Sequence, residues 1–125
     1  MKRRTAREYA LKILFSMDIN FKEPEEAIQD FLQTKESDPF LNKLVKGVYS
    51  HLEQIDHVIS SHLENWTIDR IATVEKTILR IAVYEIEYED DIPKEVSINE
   101  AIEIAKKYSD EKSGKFINGV LSKLL

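Results

Sequence analysis

An all-α fold of about six to seven helices is what this sequence predicts, and three observations carry the prediction. Apolar residues recur at spacings of three and four along most of the 125-residue chain, the period of a helix with one buried face. Only three prolines and three glycines interrupt it, and strand-like alternation is scarce. Residues that start helices stand ahead of several periodic runs.

The first helix is predicted over residues 3–18, with Ala6, Ala10, Ile13, Leu14 and Met17 on one face and Leu11 and Phe15 on a second apolar patch. A helix apolar over so much of its surface belongs near the centre of a bundle. The second starts at Glu23-Pro24, where Pro suits the first helical position and Glu25 and Glu26 suit the positive end of the dipole. The third opens at Asp38-Pro39, a side-chain cap followed by Pro. Leu41, Val45, Val48, Leu52, Ile55 and Ile59 then form a seam that predicts one continuous helix to Leu63. At 1.5 Å per residue it would be roughly 38 Å long. Residues 66–73 read as a connector with a short helical turn. Thr73 is the expected cap of a helix running to about residue 87. Ser97 and Glu100 have the spacing of a capping box for the next helix. The last helix occupies residues 112–125, "KSGKFINGVLSKLL". Its Asn118-Gly119 would favour a hairpin turn in a strand context, but Phe116, Ile117, Val120, Leu121 and Leu124 keep helical spacing. Gly119 is therefore expected to let this helix approach a neighbour closely. Without long linkers, repeats or low-complexity tracts, the chain reads as one domain, residues 1–125, in two packed lobes of residues 1–65 and 66–125.

Composition narrows function. With 42% hydrophobic and 33% charged residues the chain is expected to fold. It has no cysteine, which removes disulfides and thiolate chemistry and fits a reducing compartment. No apolar run approaches the ~20 residues that span a bilayer, so no membrane partner and a cytoplasmic location are expected. His51 and His62, eleven residues apart, would lie about 16 Å apart on a helix, too far to share a metal. The acidic cluster of Glu85, Glu87, Glu89, Asp90 and Asp91 lacks calcium-loop spacing and reads as a solvated helix end. Gly47, Gly114 and Gly119 form no phosphate-binding fingerprint. No cofactor and no catalytic residue are expected.

Charge placement is more informative. Residues 1–12 hold Lys2, Arg3, Arg4, Arg7 and Lys12 against Glu8 alone, on a chain of net charge −5. Arg3, Arg4 and Arg7 fall within an arc of roughly 100° on a helix. Arginine forks suit phosphate, and cations at a helix N-terminus oppose its dipole. An anionic partner would account for that cost; a solvated helix start is the plainer alternative.

Four blocks add a resemblance. "RRTAREYALKILF", "VEKTILRIAVYE", "VSINEAIEIAKKYS" and "KFINGVLSKL" stand in this order along the chain. Together they resemble the NusB family of bacterial transcription antitermination factors over essentially the whole length. That resemblance implies two packed helical bundles and a non-catalytic factor that binds boxA-type single-stranded RNA of ribosomal RNA leaders. It also implies a NusE-like small-subunit ribosomal protein as partner, and work with other Nus factors in the RNA polymerase antitermination complex. By the same resemblance, RNA contacts map onto Lys2, Arg3, Arg4, Arg7, Phe15, Lys115 and Phe116, and a partner contact onto Glu75. Thr5 departs from relatives with a third consecutive Arg there. Phe116 has two readings, core filler or a ring beside the Arg patch that stacks on a base. Competing functions are a helical protein adaptor without RNA contact and, less favoured, an RNA-binding domain of a methyltransferase. Monomer and homodimer both remain open.

Overall fold

The computed structural model describes residues 1–33 and 36–125. Its described residues form seven α-helices: α1 Arg3–Asn20, α2 Pro24–Leu32, α3 Pro39–Ser50, α4 Leu52–Ser61, α5 Thr73–Tyr88, α6 Lys94–Tyr108 and α7 Glu111–Leu121. Short 3-10 turns occupy Ile68–Arg70 and Ser122–Leu124. No strand occurs among the described residues. The all-α prediction holds, and one hydrophobic cluster draws side chains from all seven helices.

Helix α5 organises the bundle. It packs against α1, α3, α4, α6 and α7, and Ile78, Leu79, Ile81, Ala82, Val83 and Tyr84 are all buried. Polar contacts set directions. Arg7 meets Glu85 while Asp18 meets Arg80, so α1 runs antiparallel to α5. Ser97 meets Glu85 and Ser113 meets Glu75, so α7 begins where α5 begins and α6 begins where α5 ends.

Several local expectations hold. Asp38 caps α3, its carboxylate accepting from the Leu41 amide at 3.0 Å, and Pro24 and Pro39 open their helices. Other expectations need correction. The long third helix is two helices broken at His51, whose φ of −115° leaves the helical range. The Gly47 carbonyl is shared there: it accepts from the His51 amide at 3.1 Å and from His51 Nδ1 at 3.0 Å. A side chain inserted into the i→i−4 ladder is a standard cause of a kink. Leu52, assigned to the seam, is 36% exposed as a result.

Neither Thr73 nor Ser97 caps a helix. Thr73 is the first residue of α5, after Ala72. Helix α6 starts at Lys94, directly after Pro93, which leaves Ser97 and Glu100 inside it and free for other work. The last helix starts at Glu111, with the Asp110 carboxylate accepting from the Ser113 amide at 2.8 Å. Asn118-Gly119 is helical as expected, yet Gly119 faces outward, and an added Cβ would meet nothing within 4 Å. The close approach occurs at Gly47 instead, where a Cβ would fall 2.2 Å from the Tyr84 ring.

Candidate nucleic-acid interface

The basic start of α1 divides into an interior and an exterior part. Arg7 is 4% exposed. Its Nε and Nη2 donate to the two oxygens of Glu85, each at 2.7 Å, and its Nη1 reaches Glu100 at 3.4 Å. Ser97 Oγ donates to Glu85 at 2.8 Å. Glu85 is itself buried, so this is a paired interior charge cluster joining α1, α5 and α6. Arg7 therefore leaves the list of exposed phosphate ligands: its fork is filled by a carboxylate inside the protein.

Arg4 is half exposed and pairs with Glu100 through both Nε, at 2.9 Å, and Nη2. The Arg4 hydrogen bond, assisted by the charge of Arg7, holds the Glu100 carboxyl below the usual carboxylate range. Arg3 lies 4.8 Å above the centre of the Phe40 ring, with only a loose contact to exposed Asp91 at 3.5 Å. Lys2 is exposed and precedes α1 without a side-chain cap. The dipole argument for an outside anion weakens accordingly, because Glu85, Glu100 and Asp91 arrive from α5, α6 and the α5–α6 connection. What remains open to solvent is Lys2, Arg3 and the outer edge of Arg4.

The aromatic part of the site is elsewhere. Lys115 is exposed and Phe116 is half-buried on the first turns of α7. Phe116 packs against the core and also lines a depression of about 320 Å³ with Trp66, Arg70, Glu75, Lys112 and Ser113. One part of the Phe116 ring is thus core and another lines the depression. Glu75 accepts a hydrogen bond from Ser113 Oγ at 2.7 Å, which puts the expected partner contact and Phe116 on one surface. Phe116 does not stand beside the Arg patch. Ten residues of α5 separate Glu75 from Glu85, about 15 Å at 1.5 Å per residue. Between the two ends, Lys12 and Lys107 place their ammonium groups 5.7 and 5.5 Å from the Tyr108 ring centre. Tyr108 in turn donates to Glu8 at 2.7 Å, and burial together with Glu8 pushes its phenol up to about 12. Phe15, on the C-terminal half of α1, is half-buried.

Residues 4–125 match the family model described as NusB family. The chain belongs to the NusB family. A transcription antitermination protein NusB from Oceanobacillus iheyensis is 57% identical over 125 residues, covering 100% of this chain and 99% of that protein. The NusB of Bacillus subtilis is 53% identical over 124 residues, 99% and 95% of the two chains. Among solved structures, T. maritima NusB superimposes with a TM-score of 0.90 at 38% identity, covering 99% of this chain and 90% of that one. NusB in a crystal structure of antitermination factors NusB and NusE with dsRNA gives 0.86 at 34% identity, with coverage of 98% and 94%.

Sequence reasoning missed several residues around both ends. Glu85 and Glu89, read as part of a solvated helix end, are both buried; the signal that could have found Glu85 is its i+7 position from Ile78 on the inward stripe. Glu100 was noticed for a different role. Phe40 and Arg70 carry no one-dimensional signal, because only the fold brings them to Arg3 and Phe116, whereas Lys112 stands one helical turn before Phe116 on α7. Among the described residues, no helix is long and apolar enough to cross a membrane.

Proposed function

We propose that this NusB-family chain is a non-catalytic, cytoplasmic transcription antitermination factor. It binds boxA-type single-stranded RNA together with a NusE-like ribosomal protein and acts with other Nus factors on RNA polymerase. The observation that carries this reading is near-complete coverage, at 57% identity, of a transcription antitermination protein NusB. The solved NusB–NusE–dsRNA complex, at 34% identity, supports the choice of partners. Phosphates are held by Lys2, Arg3 and Arg4 at one end and by Lys115 at the other, with Phe15 and Phe116 offered to bases. Lys12 lies between these ends and extends the cationic path, while Lys107 is held by Glu8 at 2.8 Å. Glu75, next to Phe116, belongs to the contact with the ribosomal protein, so the two partners meet on adjoining surfaces. The two lobes act as one RNA-binding unit.

Three exposed arginines, Arg3, Arg4 and Arg70, and scattered lysines on a net-acidic chain offer few phosphate contacts. The partner is therefore expected to raise RNA affinity. Titration of a boxA-type RNA with and without saturating NusE-like protein tests this. Equal dissociation constants would remove the cooperative part of the proposal. Absence of RNA binding in both cases, with the protein partner still bound, would leave the adaptor reading.

A further inference from the structure

Trp66 is the chain's single tryptophan and the mechanism above does not use it. It lies in the connection between α4 and the Ile68–Arg70 turn, 58% exposed. A single exposed ring is ordinary, but Trp66 does not stand alone. Trp66 and Phe116 line the same depression of about 320 Å³, within the usual size range of small-ligand sites, roughly 300–1,000 Å³. Its carboxylates belong to Glu75 and Asp110, and both are turned toward Ser113, at 2.7 and 2.8 Å. Its cations are Arg70 and Lys112, both exposed at the rim. Asp110 is exposed like the two cations and Glu75 is partly buried; both carboxylates are held on Ser113, which leaves the exposed cations to attract a phosphate. The arrangement admits a flat uncharged ring and holds its flanking phosphates at the edge.

We infer that the depression between Trp66 and Phe116 takes one unpaired RNA base, with Trp66 as its stacking face and Arg70 and Lys112 on the adjoining phosphates. This rests on the RNA-binding reading and extends it by a residue and a site. Stacking on an aromatic ring is tolerant of base identity, so the site contributes affinity more than sequence preference.

Because Trp66 is the only tryptophan, intrinsic fluorescence of the full chain reports on this site directly. Titration with a boxA-type single-stranded RNA should quench it. Trp66→Ala should weaken binding about 5- to 150-fold, the equivalent of 1–3 kcal/mol per stacked base, with the salt slope and melting temperature unchanged. Trp66→Phe should retain most of the affinity. If RNA binds with unaltered fluorescence and Trp66→Ala binds as well as the parent, the base site is wrong, while the RNA-binding reading stands through the effect of Arg4→Ala. Fluorescence that responds only to the NusE-like protein would make Trp66 a protein contact and overturn the inference. No RNA binding by any variant at low salt, with or without that protein, would end both.

Discussion

Arg4 and Arg7 stand less than one turn apart on α1, and the fold treats them oppositely. Arg7 is 4% exposed and locked between Glu85 and Glu100. Arg4 keeps about half its side chain in solvent and shares Glu100 from outside. The two residues have identical chemistry, and the bulk sequence assigned both to one basic patch. What separates them is the set of carboxylates delivered by α5 and α6. Burial converts an arginine from a ligand for other molecules into a strut for its own.

The largest expected effect breaks that strut. Arg7→Ala leaves the buried Glu85 carboxylate without its cation, and such an uncompensated charge costs about 3–5 kcal/mol. Arg4→Ala should cost well under 1 kcal/mol, because an exposed ion pair contributes little. Thermal melts of the two variants under one set of conditions check the contrast. Similar melting temperatures would mean that Arg7 is not the interior partner of Glu85.

A second pair of identical residues sharpens the same point. Gly47→Ala drives a methyl group into the Tyr84 ring, and Tyr84 cannot step aside easily because its hydroxyl donates to Glu89 at 2.8 Å inside the protein. Overpacking of this kind costs about 1–3 kcal/mol. Gly119→Ala meets open space and should stabilise α7 by up to about 1 kcal/mol through helix propensity. Even Gly119→Leu should be tolerated. Denaturant midpoints measured at constant slope give the answer, and a destabilised Gly119→Ala would show a neighbour at that face.

The smallest effect is a pH dependence. Glu100 has a folded pKa depressed chiefly by Arg4. Its contribution is complete above the ordinary glutamate value, about 4.3, and disappears as pH falls through the lower folded value. Glu100→Gln should therefore flatten the acid side of the stability curve and leave its neutral side nearly unchanged. An acid limb identical to the parent's would remove Glu100 from the network.

How far the sequence could be read follows from the range of each interaction. Asp38 and the prolines at positions 24 and 39 act on the next three residues, so their helices were legible. The kink at His51 was not, because it depends on one carbonyl shared between an amide and an imidazole. Ser97 and Glu100 matched a capping pattern that α6 does not use. Starting at Lys94 frees both side chains for Glu85 and the two arginines, contacts made 12 or more positions away in sequence. Gly119 was assigned a close approach that belongs to Gly47, since periodicity identifies a helix face but not what lies opposite. For the candidate interface, Lys2, Arg3, Arg4 and Lys115 are exposed and Phe116 is half-buried. The 15 Å offset between its two ends and the presence of Trp66 beside Phe116 required the packing of α5, α6 and α7.

In the function proposed above, the outer arginines meet RNA while Arg7 serves the fold. This division is tested most directly by the salt dependence of RNA binding for the parent and for an Arg3→Ala, Arg4→Ala double variant, each in complex with the NusE-like protein. On a single strand each lost phosphate contact should reduce the slope of log K against log salt by roughly 0.7. The double variant should show a shallower slope and weaker binding to every RNA tested, at a melting temperature close to the parent's. An unchanged slope and affinity in the folded double variant would contradict it.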